Sequence, residues 1–217
     1  MLCAARGYKC VAITNTKCSK EKVDALKAYG ATAIVTKAGV PPDHPEHYQN
    51  VEKRLCEENE GWFGVNQYGN PLNPDAYYHT IAPEIWEQSE GEVTHFFAAA
   101  STGGTVSGIG RYLKEQNPDL TVVCPDPVGS IFNEYYTKGT TEHGKSFEVE
   151  GVGKDNIPSI LNFDIIDAMP LVTDKEAFAM CHKLSEQEGL VCGGSTGLNG
   201  QSLSRGGVLA CWRAGAV

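Results

Sequence analysis

Short apolar runs alternate with longer segments of helical period along most of this chain. "KCVAIT" (9–14) is brief, apolar and β-branched, and predicts a buried strand. "SKEKVDALKAYG" (19–30) predicts a helix, with Ser19 as N-cap, Val23, Ala25 and Leu26 at helical spacing, and Gly30 as terminator. "TAIVTK" (32–37) predicts a second strand, and "VPPDHP" (40–45) a loop. Residues 46–59 read as helix, "WFGVNQY" (62–68) as extended chain and "GNPLNPD" (69–75) as loop. The alternation then resumes: helix over 75–89, strand over 93–100, and a helix running to Asn117 that Pro118 closes. "LTVVCPDP" (120–127) predicts a strand. Thr173-Asp174-Lys175-Glu176 has the form of a capping box opening a helix to about Glu188, and "GLVCGGS" (189–195) predicts a last strand.

Strand–helix–strand repetition with continuously apolar strands implies an α/β fold, a mostly parallel sheet covered by helices. The proline-rich stretch from Asn70 to Pro74 suggests two such lobes, a smaller one over 1–73 and a larger one over 74–217. No short-period repeat or low-complexity segment interrupts the pattern.

Composition narrows the function classes. With 217 residues, 41% hydrophobic and 21% charged, the chain is an ordinary globular one. A net charge of −9 argues against a nucleic-acid surface, which needs clustered Lys and Arg. No apolar run approaches the ~18 residues of a membrane span, and Met1–Arg6 is too short for a complete signal peptide. None of the eight cysteines forms a C-x-x-C pair, and Cys10, Cys124 and Cys192 lie inside apolar runs. They read as reduced thiols of a cytoplasmic protein, with no metal site among them.

The chemistry concentrates in "HFFAAASTGGTVSGIGRYLKE" (95–115), where an apolar run breaks into Ser101-Thr102-Gly103-Gly104-Thr105 and then into a helical pattern. A helix N-terminus offers free N–H groups and partial positive charge, glycines let an anion come close, and Thr102 and Thr105 add hydroxyl donors. Such a loop suits a phosphate monoester or a carboxylate. It is not a P-loop, because Ile109 stands where the lysine belongs; nor a dinucleotide fingerprint, because Gly108-Ile109-Gly110 lacks the third glycine. A tight strand-to-helix turn without a ligand is the bland alternative. A second turn, Gly193-Gly194-Ser195-Thr196-Gly197, matches the nucleophile elbow G-x-S-x-G. No Asp, Glu or His follows Ser195, so the elbow's triad is excluded within the chain. Ser195 could aim its hydroxyl at a ligand or simply cap a helix.

Other polar residues read as structural. Tyr77 and Tyr78 suit helix packing, His79 and His95 have no metal-like spacing, and Glu57-Glu58-Asn59-Glu60 suits a solvated helix end. Lys154 reads as a polar loop lysine.

Taken in order, "ARGYKCVAIT", "SKEKVDALKAYGA", "NQYGNPLNP", "STGGTVSGIGRYLKE", "PDPVGS", "EVEGVGKDNIP" and "EQEGLVCGGSTG" resemble the fold-type II pyridoxal-phosphate enzymes, in the cystathionine β-synthase and cysteine synthase family. The resemblance covers residues 4 to about 199, and "DPVGS" and "EGLVCGGS" lie closer to its cystathionine β-synthase branch. It implies two lobes like those of the tryptophan synthase β-subunit, present here incompletely. It also implies that Ser101, Thr102, Gly103, Gly104 and Thr105 bind the phosphate of pyridoxal 5′-phosphate, with Ser101 replacing the family's first glycine. Ser195 would face the pyridine nitrogen, where a neutral hydroxyl leaves the ring a milder electron sink than a carboxylate would. Gln67 would help hold the substrate carboxylate, and Gly151 and Gly153 would lie in the substrate loop. For Gln67 a surface amide beside a turn, and for the two glycines ordinary turns, are the competing readings. The implied partners are amino-acid and thiol or sulfide substrates, and the implied assembly is a homodimer.

Two departures accompany the resemblance. The family's cofactor-bonding lysine and its Ser-Gly-Asn-Thr-Gly loop match nothing in these residues, so no catalytic residue is assigned. The chain is therefore expected to be an N-terminally truncated fragment, inactive by itself. After Leu198 the family continues as an alanine-rich helix, whereas "NGQSLSRGGVLACWRAGAV" carries glycines at 200, 206, 207 and 215 and reads as an out-of-frame or mis-spliced tail. The expected activity is β-replacement of L-serine by homocysteine. The alternatives are cysteine synthesis from O-acetylserine and sulfide, or a non-catalytic paralogue that only binds a partner.

Overall fold

A single helical turn, α1 (Leu2–Ala5), precedes β1 (Val11–Asn15), α2 (Lys20–Ala28), β2 (Thr32–Thr36) and α3 (Tyr48–Glu58) in the computed structural model, which describes residues 1–142 and 144–205. These elements form the first of two compact units, Met1–Val65; the second begins at Asn66. β1 and β2 pair in parallel, Val11 opposite Thr32 through Asn15 opposite Thr36. Gly30, at φ +80°, ends α2 as its sequence implies, and its N–H reaches the Lys27 carbonyl at 2.9 Å. Ser19 takes the extended backbone of an N-cap, but its side chain makes no capping bond. β1 is half-buried throughout, not buried as the apolar run predicts. Both strands of a two-stranded sheet are edges, covered here by α3 against β1 and α2 against β2. Residues 62–66 run without regular structure, and Gln67–Gly69 form a turn after Asn66, which sits at φ +48°.

The second unit contains α4 (Leu72–His79), α5 (Ile81–Gln88), β3 (His95–Phe97), α6 (Gly104–Gln116), β4 (Thr121–Val123), β5 (Asp126–Pro127), α7 (Phe132–Lys138), a 3-10 turn (Phe163–Ile165), β6 (Leu171–Val172), α8 (Asp174–Glu188) and α9 (Gly194–Arg205). β3 pairs with β4 and β5 with β6, each in parallel, so the expected parallel strands and covering helices are present. The run over 120–127 breaks where its partner changes. Val123 pairs with Phe97 on one side and bridges Ala168 on the other, and the Cys124 N–H then bonds the Ala168 carbonyl. Pro125, Pro127 and Pro170 supply no N–H, which keeps β5 and β6 short.

Three further expectations are corrected. The loop over 69–75 is largely helix, since α4 starts at Leu72 and takes Pro74 into its first turn, where a missing N–H costs nothing. The helix over 75–89 is two helices, broken at Thr80 (φ −124°, ψ −80°), because Pro83 is tolerated only in a first turn. Residues 189–193 form no strand; Val191 is 92% exposed and no ladder partner lies beside it among the described residues. The capping box at Thr173 and Glu176 is present in both directions. α9 carries the helix past Leu198 to Arg205, and the rest of the expected aberrant tail, 206–217, lies outside the described residues.

Val106, Ile109 and Leu113 of α6 centre the main core with Leu120, Val122, Cys124 and Phe132. α4 lies directly on α6, because an added Cβ at Gly104 would overlap the Asn73 amide and one at Gly108 would overlap the Pro74 carbonyl. Tyr77 packs on this core and Tyr78 lies edge-on to Tyr112, as helix packing requires. Asp126, in β5 and facing the first turn of α7, is 1% exposed. Its Oδ2 accepts from the Asn133 N–H at 2.9 Å, while Oδ1 has no partner among the described residues. Burial pushes its pKa up to about 6, against the pull of hydrogen bonds from Asn133, Ser130 and Phe132. Burial, then the Asp126 charge, pushes the neighbouring Cys124 thiol up to about 12.

Candidate functional site

Ala98 to Ala100 carry the chain off the end of β3, and Gly103 turns it into α6 at φ +83°. A side chain is excluded there, since a Cβ would come within 2.6 Å of Leu161 Cβ. The loop thus presents Ser101, Thr102, Gly103 and Thr105 to a cavity of about 340 Å³ within the second unit. Gln67 and Tyr68 reach the same cavity from the turn before α4, Gly151 from the segment after α7, and Ala99, Ala100 and Val106 complete its wall. Strand end, glycine turn and helix N-terminus coincide at the cavity, the usual place for a ligand in an open parallel sheet.

The Thr102 hydroxyl is oriented by its neighbours. Its Oγ1 accepts from the Gly104 N–H at 3.3 Å and from Asn73 Nδ2 at 3.4 Å. A hydroxyl that accepts twice keeps its own hydrogen to donate. Asn73 also donates to the Gln67 carbonyl at 2.8 Å, so one amide fixes both the Thr102 hydroxyl and the Gln67 turn. The first-turn N–H groups of α6 have no acceptor four residues back, and the helix dipole adds positive potential. Hydroxyls and helix N–H groups around a cavity of this size fit a phosphate monoester, and none of the lining residues is charged.

The other residues singled out from sequence fall around this cradle in different ways. Gly104 is buried beneath Asn73, behind the lining. Gly151 lines the cavity, whereas Gly153 is buried behind it and donates its N–H to the Ala100 carbonyl at 2.7 Å. Gln67 is both an exposed turn residue and part of the lining. Ser195 is half-buried at the second position of α9, so Gly193 occupies the capping position. It lies outside the lining but is tied to it: Asn199 donates to the Ser195 carbonyl at 2.9 Å and accepts from the Ala99 N–H at 2.9 Å. Sequence reasoning missed Asn73 and Asn199, whose roles depend on partners 29 and 100 residues away. It also missed Tyr68, although that residue adjoins Gln67.

Lys154 is not the solvated loop lysine its surroundings in sequence suggest. Its side chain is 10% exposed, and its ammonium sits 4.6 Å from the centroid of the Tyr68 ring and 4.0 Å from Asp155 Oδ1. The backbone explains the burial: the Lys154 N–H bonds Ser130 Oγ at 3.1 Å and its carbonyl accepts from Ile131 at 3.0 Å.

Comparison with known proteins places the chain in a family. Residues 1–208 match the model of a family described as pyridoxal-phosphate dependent enzyme. The chain is 42% identical over 194 residues to a cystathionine beta-synthase of Dictyostelium discoideum, covering 89% of this chain and 39% of that protein. It is 37% identical over 210 residues to a cysteine synthase of the same organism, covering 92% and 55%. The chain thus spans about two fifths to just over half of the length of these relatives. Among solved structures, a hydrogen sulfide-producing enzyme of Fusobacterium nucleatum superposes with a TM-score of 0.79 at 28% identity, covering 92% of this chain and 63% of that one.

Proposed function

The chain belongs to the pyridoxal-phosphate dependent enzyme family, and from that premise we propose that it carries the cofactor-phosphate cradle and part of the substrate site of a β-replacement enzyme joining L-serine to homocysteine. The observation that carries the proposal is the cavity at the α6 N-terminus, where Ser101, Thr102, Gly103 and Thr105 meet Gln67 and Gly151. When bound, pyridoxal phosphate draws electrons from the α-carbon of an attached amino acid, so that a β-substituent can leave and a thiol can replace it. The chain's own residues bind and orient. Thr102 and Thr105 donate to the phosphate, with Ser101 and the Gly103 N–H around it, while Gly104 supports the loop from behind by giving its own N–H to Thr102 Oγ1. Gln67 holds the substrate carboxylate, Gly151 and Gly153 shape the loop over it, and Ser195 offers its hydroxyl to the ring nitrogen.

In this reading Met1–Val65 belongs to the smaller lobe and the residues from Asn66 onward to the larger, in a cytoplasmic homodimer. Among the described residues no lysine lines the cavity, and on this reading the chain binds the cofactor without turnover. That same observation favours the second reading, a paralogue that binds without catalysis. Cysteine synthesis from O-acetylserine is the alternative within the family, supported by the relative of that name.

Titrating the full chain with pyridoxal phosphate, followed by absorbance, tests the cradle. Thr102→Val removes one charge-assisted hydrogen bond and should weaken binding by about 10- to 100-fold. Saturable binding that Thr102→Val leaves unchanged would refute the assignment. Borohydride reduction followed by peptide mass spectrometry tests the rest: one specifically labelled lysine together with β-replacement turnover would show that the chain is catalytic by itself.

A further inference from the structure

The cavity lining contains no charged residue, yet the substrates proposed for it are anionic at more than one place. The α6 N-terminus answers one anion. The Lys154 ammonium is the cation stacked on a lining side chain, 4.6 Å from the centroid of the Tyr68 ring. It is held there: its side chain is 10% exposed, and the backbone on either side is bonded to Ala100 through Gly153, to Ser130 and to Ile131. Ala100 and Tyr68 both belong to the cavity wall, so the Lys154 backbone is fixed relative to the site by hydrogen bonds, while burial and the Tyr68 ring hold its stem.

We propose that Lys154 is a specificity-determining residue, whose ammonium on the Tyr68 ring makes the wall formed by Gln67, Tyr68 and Gly151 prefer an acceptor thiol that bears a carboxylate over a neutral thiol. The proposal rests on the β-replacement reading and names the substrate class of that same site. An ammonium 4.6 Å from the ring of a wall residue, on a side chain only 10% exposed, acts at partly buried range, where its attraction for a carboxylate changes affinity on the order of tenfold. The Tyr68 ring accepts the cation on its face and keeps it from folding away from the wall. Arg in place of Lys would stack on the same ring and keep the charge, whereas Met would keep the packing and lose it.

The test compares 3-mercaptopropionate with the isosteric neutral 3-mercaptopropionamide, titrated into the full chain and followed by NMR chemical shifts. The wild type should bind the carboxylate about tenfold more tightly, Lys154→Met should erase that preference, and Lys154→Arg should retain it. Equal affinities in the wild type, a preference that survives Lys154→Met, or no binding of either thiol would overturn the proposal. A purely packing role would shift both thiols together. Pyridoxal phosphate affinity is measured on the same samples: its absence would count against the proposed function, while the thiol preference continues to report on Lys154.

Discussion

Asp126 should make the protein lose stability as pH rises from about 4 to about 6. Two effects oppose each other at this carboxyl. Hydrogen bonds from Asn133, Ser130 and Phe132 favour the ionised form, while near-complete burial with an unpartnered Oδ1 disfavours it. Burial is the larger, and the folded-state pKa rises from the ordinary carboxyl value of 3.8 to about 6. Below about pH 4 both folded and unfolded chains carry the proton, and the full contribution is present. Between the two values the unfolded chain ionises while the folded one holds its proton, so stability falls; above about 6 the loss is complete. A shift of this size corresponds to roughly 3 kcal/mol. Asp126→Asn keeps an oxygen acceptor for the Asn133 N–H and cannot ionise. Urea unfolding of both proteins across pH 4–8 gives a difference curve in which all other titrating groups cancel. The variant should gain on the wild type by up to ~3 kcal/mol across that window, less a pH-independent cost for placing its amide donor. A flat difference, or a wild type that gains with rising pH because α7's N–H groups dominate, would refute the reasoning.

Gly108→Ala places a methyl against the Pro74 carbonyl, with no flexible side chain to yield, and should lower stability by about 1–3 kcal/mol in thermal melts. Thr173→Ala removes the acceptor of the Glu176 N–H and should cost about 1 kcal/mol by urea titration, with little change in pyridoxal phosphate binding. Asn199→Leu keeps the volume but leaves the Ala99 N–H without its 2.9 Å acceptor; loss on the order of tenfold in pyridoxal phosphate affinity should accompany a stability loss of about 1–3 kcal/mol.

Features legible in the sequence are those whose causes are local. The Thr173–Glu176 box, the Gly30 stop and the glycine turn before α6 each depend on residues within one turn of one another, and each forms as read. Prolines mislead when only their presence is weighed: Pro74 and Pro83 look like loop and helix interior, but each sits in a first turn, where its missing hydrogen bond is not needed. The apolar run at 189–193 misleads for a different reason. Hydrophobicity describes what a segment would bury, and only a neighbouring strand decides whether a ladder forms. Tyr68 and Lys154 are 86 residues apart, so their stacking follows from the backbone bonds of Gly153 and Lys154 and from no pattern along the chain.

The glycines around α6 show why nucleotide fingerprints fail here while the cradle remains. A dinucleotide fingerprint reserves its glycines for a turn, for the approach of a pyrophosphate and for packing of helix on strand. In this chain Gly103 makes the turn, but Gly104 and Gly108, one helical turn apart, receive another helix. Their missing side chains let α4 settle onto α6, and that seats Asn73 over the loop. Asn73 then bonds both Thr102 Oγ1 and the Gln67 carbonyl. The spacing that does not fit a nucleotide therefore fits a helix contact, and the contact aligns the loop's hydroxyl with the turn that completes the cavity. Gly104 and Asn73 consequently act on the proposed phosphate site from behind its wall, as parts of the support that holds Thr102 in place.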